Sequence, residues 1–144
     1  MRAEVAPTDD LATCHALRRQ VFIEEQGVPE AEEIDGRDGA ALHLLARVDG
    51  RPVGTARVML AGDTAKVGRV CVLADWRGKG IGVALMRAAV AECAARPGVR
   101  RVRLGAQTHA VGFYAALGFV AEGPEYLDAG IPHRDMVLPL VPRP

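Results

Sequence analysis

The sequence predicts a mixed α/β domain in which antiparallel strand hairpins come first and strand-helix-strand crossovers follow. Three observations carry that prediction. "ALHLLARV", "PVGTARVML" and "KVGRVCVL" are apolar runs of strand length, and the first two flank Asp49-Gly50, a strong hairpin signal. From Ile81 the spacing changes to i, i+3, i+4, i+7 through Ala84, Leu85 and Ala88, the period of a helix with one buried face. "VRRVRLGA" then alternates apolar and basic residues and returns to strand period. At 144 residues the chain has the length of one compact domain, taken as spanning 1–144.

In chain order, "RAEVAP" opens as a short strand. "TDDLATCHALRRQVF" offers Thr8 as an N-cap, Asp9 and Asp10 in the first turn, and Leu11, Cys14, Leu17 or Arg18, and Val21 at helical spacing, a helix running to about Glu25. "GVPEAEEIDGRDG", with a proline, three glycines and many acids, is an exposed loop with room for one helical turn. After the three strands, the helix from Ile81 ends at Pro97-Gly98. "VRRVRLGA" is a half-buried strand, "HAVGFYAALGF" a short helix stopped by Gly118, and "HRDMVLPL" a late strand with Pro139 near its end.

Eighteen basic side chains balance eighteen acidic ones. No global field therefore recruits nucleic acid or an anionic membrane, and any anion must be caught locally. Cys14, Cys71 and Cys93 are odd in number, far apart and without a C-x-x-C pair, which reads as reduced thiols. Four scattered histidines give no metal site. "MRAEVAPTDD" has acids where a signal peptide needs an apolar core, and no apolar run reaches the ~20 residues of a membrane span. The expectation is a cytoplasmic protein without a metal, nucleic-acid or membrane partner.

"DWRGKGIGVALM" joins the valine-rich strand to the helix that follows. The first turn of a helix has N–H groups without internal partners and a partial positive charge, which together attract phosphate. Gly78, Gly80 and Gly82 remove the Cβ atoms that would hold a diphosphate off the backbone, while Arg77 and Lys79 add charge. A plain strand-to-helix turn is the competing reading, weakened by the one-residue spacing of the glycines and their basic neighbours. The loop lacks the G-x-x-x-x-G-K-[ST] of a P-loop. Val83 stands where a dinucleotide fingerprint needs its last glycine, and Arg100 where an acid is wanted ~20 positions on.

"RVCVLADWRGKGIGVALM" resembles the acyl-coenzyme A segment of the GNAT superfamily of N-acetyltransferases, where [RQ]-x-x-G-x-[GA] follows a strand; Arg77, Gly80 and Gly82 fill the pattern. "AVGFYAALGFV" is similar to the family's later segment, and "VFIEEQGVP", the "EID" from Glu33 to Asp35, "LGAQ" and "GIPH" resemble its ElaA and YjcF-like branch. The resemblance covers nearly the whole chain. It implies the GNAT fold, a mixed and mostly antiparallel central sheet flanked by about four helices, with a V-shaped strand splay at the cofactor site. It also implies an acetyl-CoA-dependent N-acetyltransferase that passes an acetyl group directly to a primary amine in a ternary complex. Acetyl-CoA is then the cosubstrate, the acceptor a small-molecule amine or a lysine-type group, and a homodimer a common assembly. Ala74, where a proline is frequent, and Gln107, where many members carry an asparagine, depart from common patterns.

Residue by residue, the resemblance implies that the strand holding Val70, Cys71 and Val72 splays at a bulge and pairs with the pantetheine arm. Backbone N–H groups near Val72 would polarise the thioester oxygen. Arg77, Gly78, Lys79, Gly80, Ile81 and Gly82 would hold the diphosphate, Gln107 would touch the cofactor, and Tyr114 would be the general acid. A phenol of pKa ~10 can protonate a departing thiolate, whose acid has ~8.5, when it is the nearest positioned donor. Cys71, between two valines and without an adjacent His, reads as a buried thiol rather than an acyl-accepting nucleophile.

An acceptor amine of pKa ~10.4 needs a base. Glu24, Glu25, His43, His133 and water are the candidates, with His109 and His15 behind them. The run 24–38 holds Glu24, Glu25, Glu30, Glu32, Glu33, Asp35 and Asp38 against Arg37; it is either a solvated face or a wall favouring a cationic amine. Arg96, Arg100, Arg101 and Arg103 serve a helix C-terminus or the coenzyme's 3′-phosphate. A non-catalytic acyl-CoA sensor would keep the glycine loop without needing Tyr114.

Overall fold

Strands β1 (Ala3–Thr8), β2 (Leu42–Val48), β3 (Arg51–Ala61), β4 (Thr64–Val72), β5 (Arg101–Gln107), β6 (Val120–Asp128) and β7 (Ile131–Pro139) form one sheet in the order β1-β2-β3-β4-β5-β7-β6. The computed structural model describes residues 2–140. Every neighbouring pair is antiparallel except β4 and β5, which are parallel because helix α3 (Ile81–Ala94) carries the chain back across the sheet. This is the mixed, mostly antiparallel sheet that the resemblance implies.

Local chemistry explains most of the elements. Asp49 and Gly50 turn β2 into β3 with φ of 50° and 81°, the two left-handed residues that a tight hairpin matching strand twist requires. Helix α1 (Leu11–Arg18) is capped by Asp10, whose carboxylate accepts from the Thr13 N–H at 3.1 Å. Thr8, the residue read as the cap, stays in β1 opposite His43. The helix does reach Glu25, but over Arg19–Glu25 it widens, and the Gln26 N–H donates to the Val21 carbonyl five residues back at 3.0 Å. The acidic loop contains the short helix α2 (Glu30–Glu33). β6 is absent from the sequence reading because Gly123-Pro124 interrupts "VAEGPEYLD". The strand survives at the sheet edge, where a proline is tolerated, with its register broken between Glu122 and Tyr126.

The sheet carries a different core on each face. Leu44, Val53, Val58 and Met136 pack with Ile81, Leu85 and Met86 of α3, and helix α4 (Val111–Ala116) joins through Tyr114. Beneath α1, a smaller cluster of Cys14, Leu17, Val21, Leu45 and Cys71 seals the other face. Among the described residues no helix is long and apolar enough to cross a membrane.

β4 and β5 pair only through Thr64, Ala65 and Lys66 with Arg101, Val102 and Arg103, and then diverge. On its other edge β4 is bulged. Cys71 faces Thr55 and Gly68 faces Arg57, so Arg69 and Val70 together oppose Ala56. Arg69 takes a φ of 50°, the left-handed region that a residue with a side chain seldom occupies.

Candidate functional site

A cleft of about 590 Å³ opens where the two arms diverge. Gly82, Phe113 and Tyr114 line its α3–α4 side, Phe22, Glu32 and Arg69 its α1–α2 side, and Tyr126 and His133 of the β6–β7 hairpin its far wall.

At the α3 end, Gly78 and Gly80 have φ of 74° and 83°, so the loop needs glycine for its path. Gly80 caps α3 with no side-chain hydrogen bond, which leaves the first-turn N–H groups available to an anion. A Cβ on Gly82 would lie 3.3 Å from the Phe113 ring, so the aromatic closes directly over the start of the helix. The loop therefore fits a diphosphate: donors without a cap, and backbone open to close approach. Gly78, Lys79 and Gly80 form the exposed turn, whereas the Ile81 side chain is buried in the core.

Val72 ends the β4 arm. The Leu73 N–H bonds across to the Val53 carbonyl at 2.9 Å, and strand alternation directs the Val72 N–H the other way, into the splay. The Val72 carbonyl accepts from Arg77 Nε at 3.0 Å, and the Arg77 Nη2 donates to Glu25 Oε1 at 2.7 Å. Arg77 thus ties the arm to the end of the first helix rather than standing open to a ligand. Its hydrogen bonds hold the Glu25 carboxyl below the usual range, which makes Glu25 a poor proton acceptor. Gln107, on the β5 arm, donates to Gln26 Oε1 at 3.0 Å and accepts from His109 Nε2 at 2.7 Å. Glu25 and Gln26 therefore hold one arm each.

Cys71 turns its side chain into the α1 cluster, away from Val70 and Val72, and burial pushes its thiol up to about 12. It is an inert core thiol. Tyr114 packs edge-on against Phe113 and Phe119, at centroid distances of 5.0 and 6.1 Å. Burial raises its phenol to about 12, so the hydroxyl stays protonated as a donor at the cleft wall.

The base candidates separate by position. Glu24 is exposed and outside the cleft lining. His43 is buried away from the cleft, with Nε2 bonded to the Asp38 carbonyl at 2.9 Å. His15 donates to Asp38 Oδ2 at 2.8 Å. His133 lines the cleft, and its Nδ1–H donates to the Ile131 carbonyl at 2.7 Å, which fixes the tautomer. Nε2 then carries the lone pair, and among the described residues nothing hydrogen-bonds to it. Tyr126 stacks on the ring at 5.9 Å and 22°, anchored by its hydroxyl to Asp135 Oδ1 at 2.7 Å.

The acidic run divides: Glu24, Glu25, Glu30 and Glu32 are exposed, whereas its later acids are drawn into an ion lattice. Glu33, Asp35 and Asp38 pair with Arg18, Arg57 and Arg69, and Arg18 is only 1% exposed. Sequence reading missed all three arginines as partners, since they lie in separate elements; the acidic run 24–38, with its "EID", marked only the carboxylate side. Glu30 meets Arg19, leaving Glu32 as the acid at the rim. Arg96 donates to the Glu92 carbonyl at 2.8 Å, a helix C-terminal role. Arg101 and Arg103 pair with Asp63 and Asp135.

The family model described as an acetyltransferase (GNAT) domain matches residues 8–140. The chain is similar to the uncharacterized N-acetyltransferase YjcF of Bacillus subtilis, 37% identical over 139 residues, which span 95% of this chain and 99% of the relative. Two crystal structures share the fold. ElaA of Escherichia coli matches with a TM-score of 0.84 at 30% identity, over 94% of this chain and 99% of that one. An acyl-CoA N-acyltransferase from Pseudomonas aeruginosa matches with a TM-score of 0.83 at 30% identity, over the same shares.

Proposed function

Because the chain belongs to the GNAT acetyltransferase family, we propose that it passes the acetyl group of acetyl-CoA directly to a primary amine held beside it between the arms of β4 and β5. It is an acetyl-CoA-dependent N-acetyltransferase by family; the acceptor and the residue roles are the proposal. One observation carries it: a single cleft gathers a donor tyrosine and a histidine with an open nitrogen, and Arg77 and Gly82, which flank the turn of the glycine loop, line the same cleft.

The loop at Gly78, Lys79, Gly80, Ile81 and Gly82 holds the diphosphate through backbone N–H groups. The backbone of Val70, Cys71 and Val72 receives the pantetheine arm, with Arg77 and Gln107 keeping the two arms apart. Acetyl-CoA supplies an electrophilic thioester carbonyl and a thiolate leaving group. His133 Nε2 takes a proton from the acceptor amine and frees its lone pair for attack. The Val72 N–H faces the side where the carbonyl oxygen gathers charge. Tyr114 gives its hydroxyl proton to the departing thiolate, and the second proton shed by the acceptor nitrogen as the intermediate collapses returns to the phenolate through water. A phenol at about 12 is a weak acid, but the dry wall that raises it also raises a thiolate beside it, so the transfer stays feasible.

Thiol release from acetyl-CoA across a panel of primary amines tests the reading. Tyr114→Phe is expected to lower turnover about 10²-fold while coenzyme A binding, by calorimetry, stays within about twofold. Unchanged turnover in that variant, or no release with any amine, would contradict the proposal.

A further inference from the structure

The three arginines on the acceptor side are not equally satisfied. Glu33 Oε1 accepts from Arg18 Nε, and Asp35 Oδ1 and Oδ2 accept from Arg57 at 2.9 Å each. Asp38 Oδ1 accepts from Arg18 at 2.8 Å and Arg57 at 3.2 Å, and Asp38 Oδ2 from His15 at 2.8 Å. Arg69 is left over. Glu33 and Asp35 stand 3.5 Å from it, outside good hydrogen-bond range. Its two hydrogen bonds both leave from Nη2, to the carbonyls of Glu32 and Glu33 at 3.2 Å. Nε is buried, facing Glu33 Oε1 at 3.5 Å without a hydrogen bond, and among the described residues Nη1 donates to nothing.

A guanidinium has five donors and no acceptor, so one held in a cleft with donors idle is a receptor for a planar anion. The backbone spends conformational strain to hold Arg69 there, with its φ of 50° at the bulge that turns the side chain toward α2. The side chain is 24% exposed and lines the same cleft as Val72, Tyr114 and His133. Burial first, then the nearby Arg57 charge, pull its pKa down, and an added carboxylate would offset both.

We propose that Arg69 binds a carboxylate on the acceptor, so that the acetylated amine belongs to an amino-acid-like molecule rather than to a polyamine. The inference rests on the acetyl-transfer reading above and names its acceptor class. Arg69 lies three positions before Val72, roughly 10 Å of strand, which leaves room for a short chain between carboxylate and amine.

The test is calorimetry on the full chain with coenzyme A present, using amines that differ in a carboxylate: 4-aminobutanoate against butylamine, and lysine against 1,5-diaminopentane. The carboxylated member of each pair is expected to bind about tenfold tighter to the native protein. Two variants are expected to abolish that difference: Arg69→Gly, which suits the left-handed backbone, and Arg69→Gln, which keeps a donor for the α2 carbonyls. Equal binding within the native pairs, or a difference that survives in folded Arg69 variants, overturns the proposal. So does loss of the difference in Lys66→Ala alone, since Lys66 also lines the cleft, and so does tighter binding of 2-aminoethyl phosphate than of 3-aminopropanoate. Failure of acetyl transfer itself reads out separately, as no thiol release from acetyl-CoA with any of these amines while the binding difference stands.

Discussion

The two sides of the cleft are built from different materials. On the α3 side the polar groups are backbone: the uncapped N–H groups after Gly80, the Val72 N–H, and glycine where the chain turns left-handed. On the α1–α2 side they are charged side chains, Arg18, Arg57 and Arg69 interleaved with Glu33, Asp35 and Asp38. A backbone site tolerates most changes in neighbouring side chains and fails when a Cβ or a wrong φ enters it. A buried ion lattice fails when one partner is lost, because the partners left behind remain charged and dry.

That contrast sets the order of expected effects. Arg18→Met leaves Glu33 and Asp38 without their shared partner, and urea unfolding should show a loss of about 3–5 kcal/mol. A value below 1 kcal/mol would show that the lattice relaxes or admits water. Gly80→Val forces a branched side chain into a φ of 83°. It should cost about 1–2 kcal/mol and weaken coenzyme A binding, with no change in the lattice. Unaltered coenzyme affinity in that variant would remove the backbone site.

The smallest effect is in acid. Hydrogen bonds from Arg57 pull the Asp35 carboxyl from its usual 3.8 to about 2. The folded value is the lower one, so its contribution is complete above about pH 4 and is lost as the pH falls toward about 2. Thermal unfolding of the native protein should decline over that window, and Asp35→Asn should decline less steeply. Parallel curves would place the acid sensitivity elsewhere.

The same contrast between backbone and side-chain sites explains which parts are legible in the sequence. The glycine loop, the Asp49-Gly50 turn and the helix bearing Tyr114 are local features, because positive φ and helical period leave marks within a few residues. The lattice joins residues 15 to 36 positions apart, drawn from α1, α2, β3, β4 and the loop after α2, and no periodicity records that Arg18 meets Glu33 or that Arg57 meets Asp35. Thr8 was read as a cap because only the sheet reveals that it remains in β1. β6 went unread because a Gly-Pro pair marks a break in most strands and only an edge position accommodates it. Arg77 and Gln107 stand in the expected loop and strand, but their partners Glu25 and Gln26 come from the first helix. His133 was one of several equal candidates until burial and hydrogen bonding set the others aside.

The central claim is that transfer occurs in the cleft with His133 taking the amine proton. The dependence of kcat/KM on pH, for the best acceptor in the panel and for native and His133→Gln proteins, tests it most directly. The native profile should fall on the acid side, where a general base is lost. The variant should lose that limb and run about 10²-fold lower across the plateau. The same acid limb in both proteins would contradict the assignment.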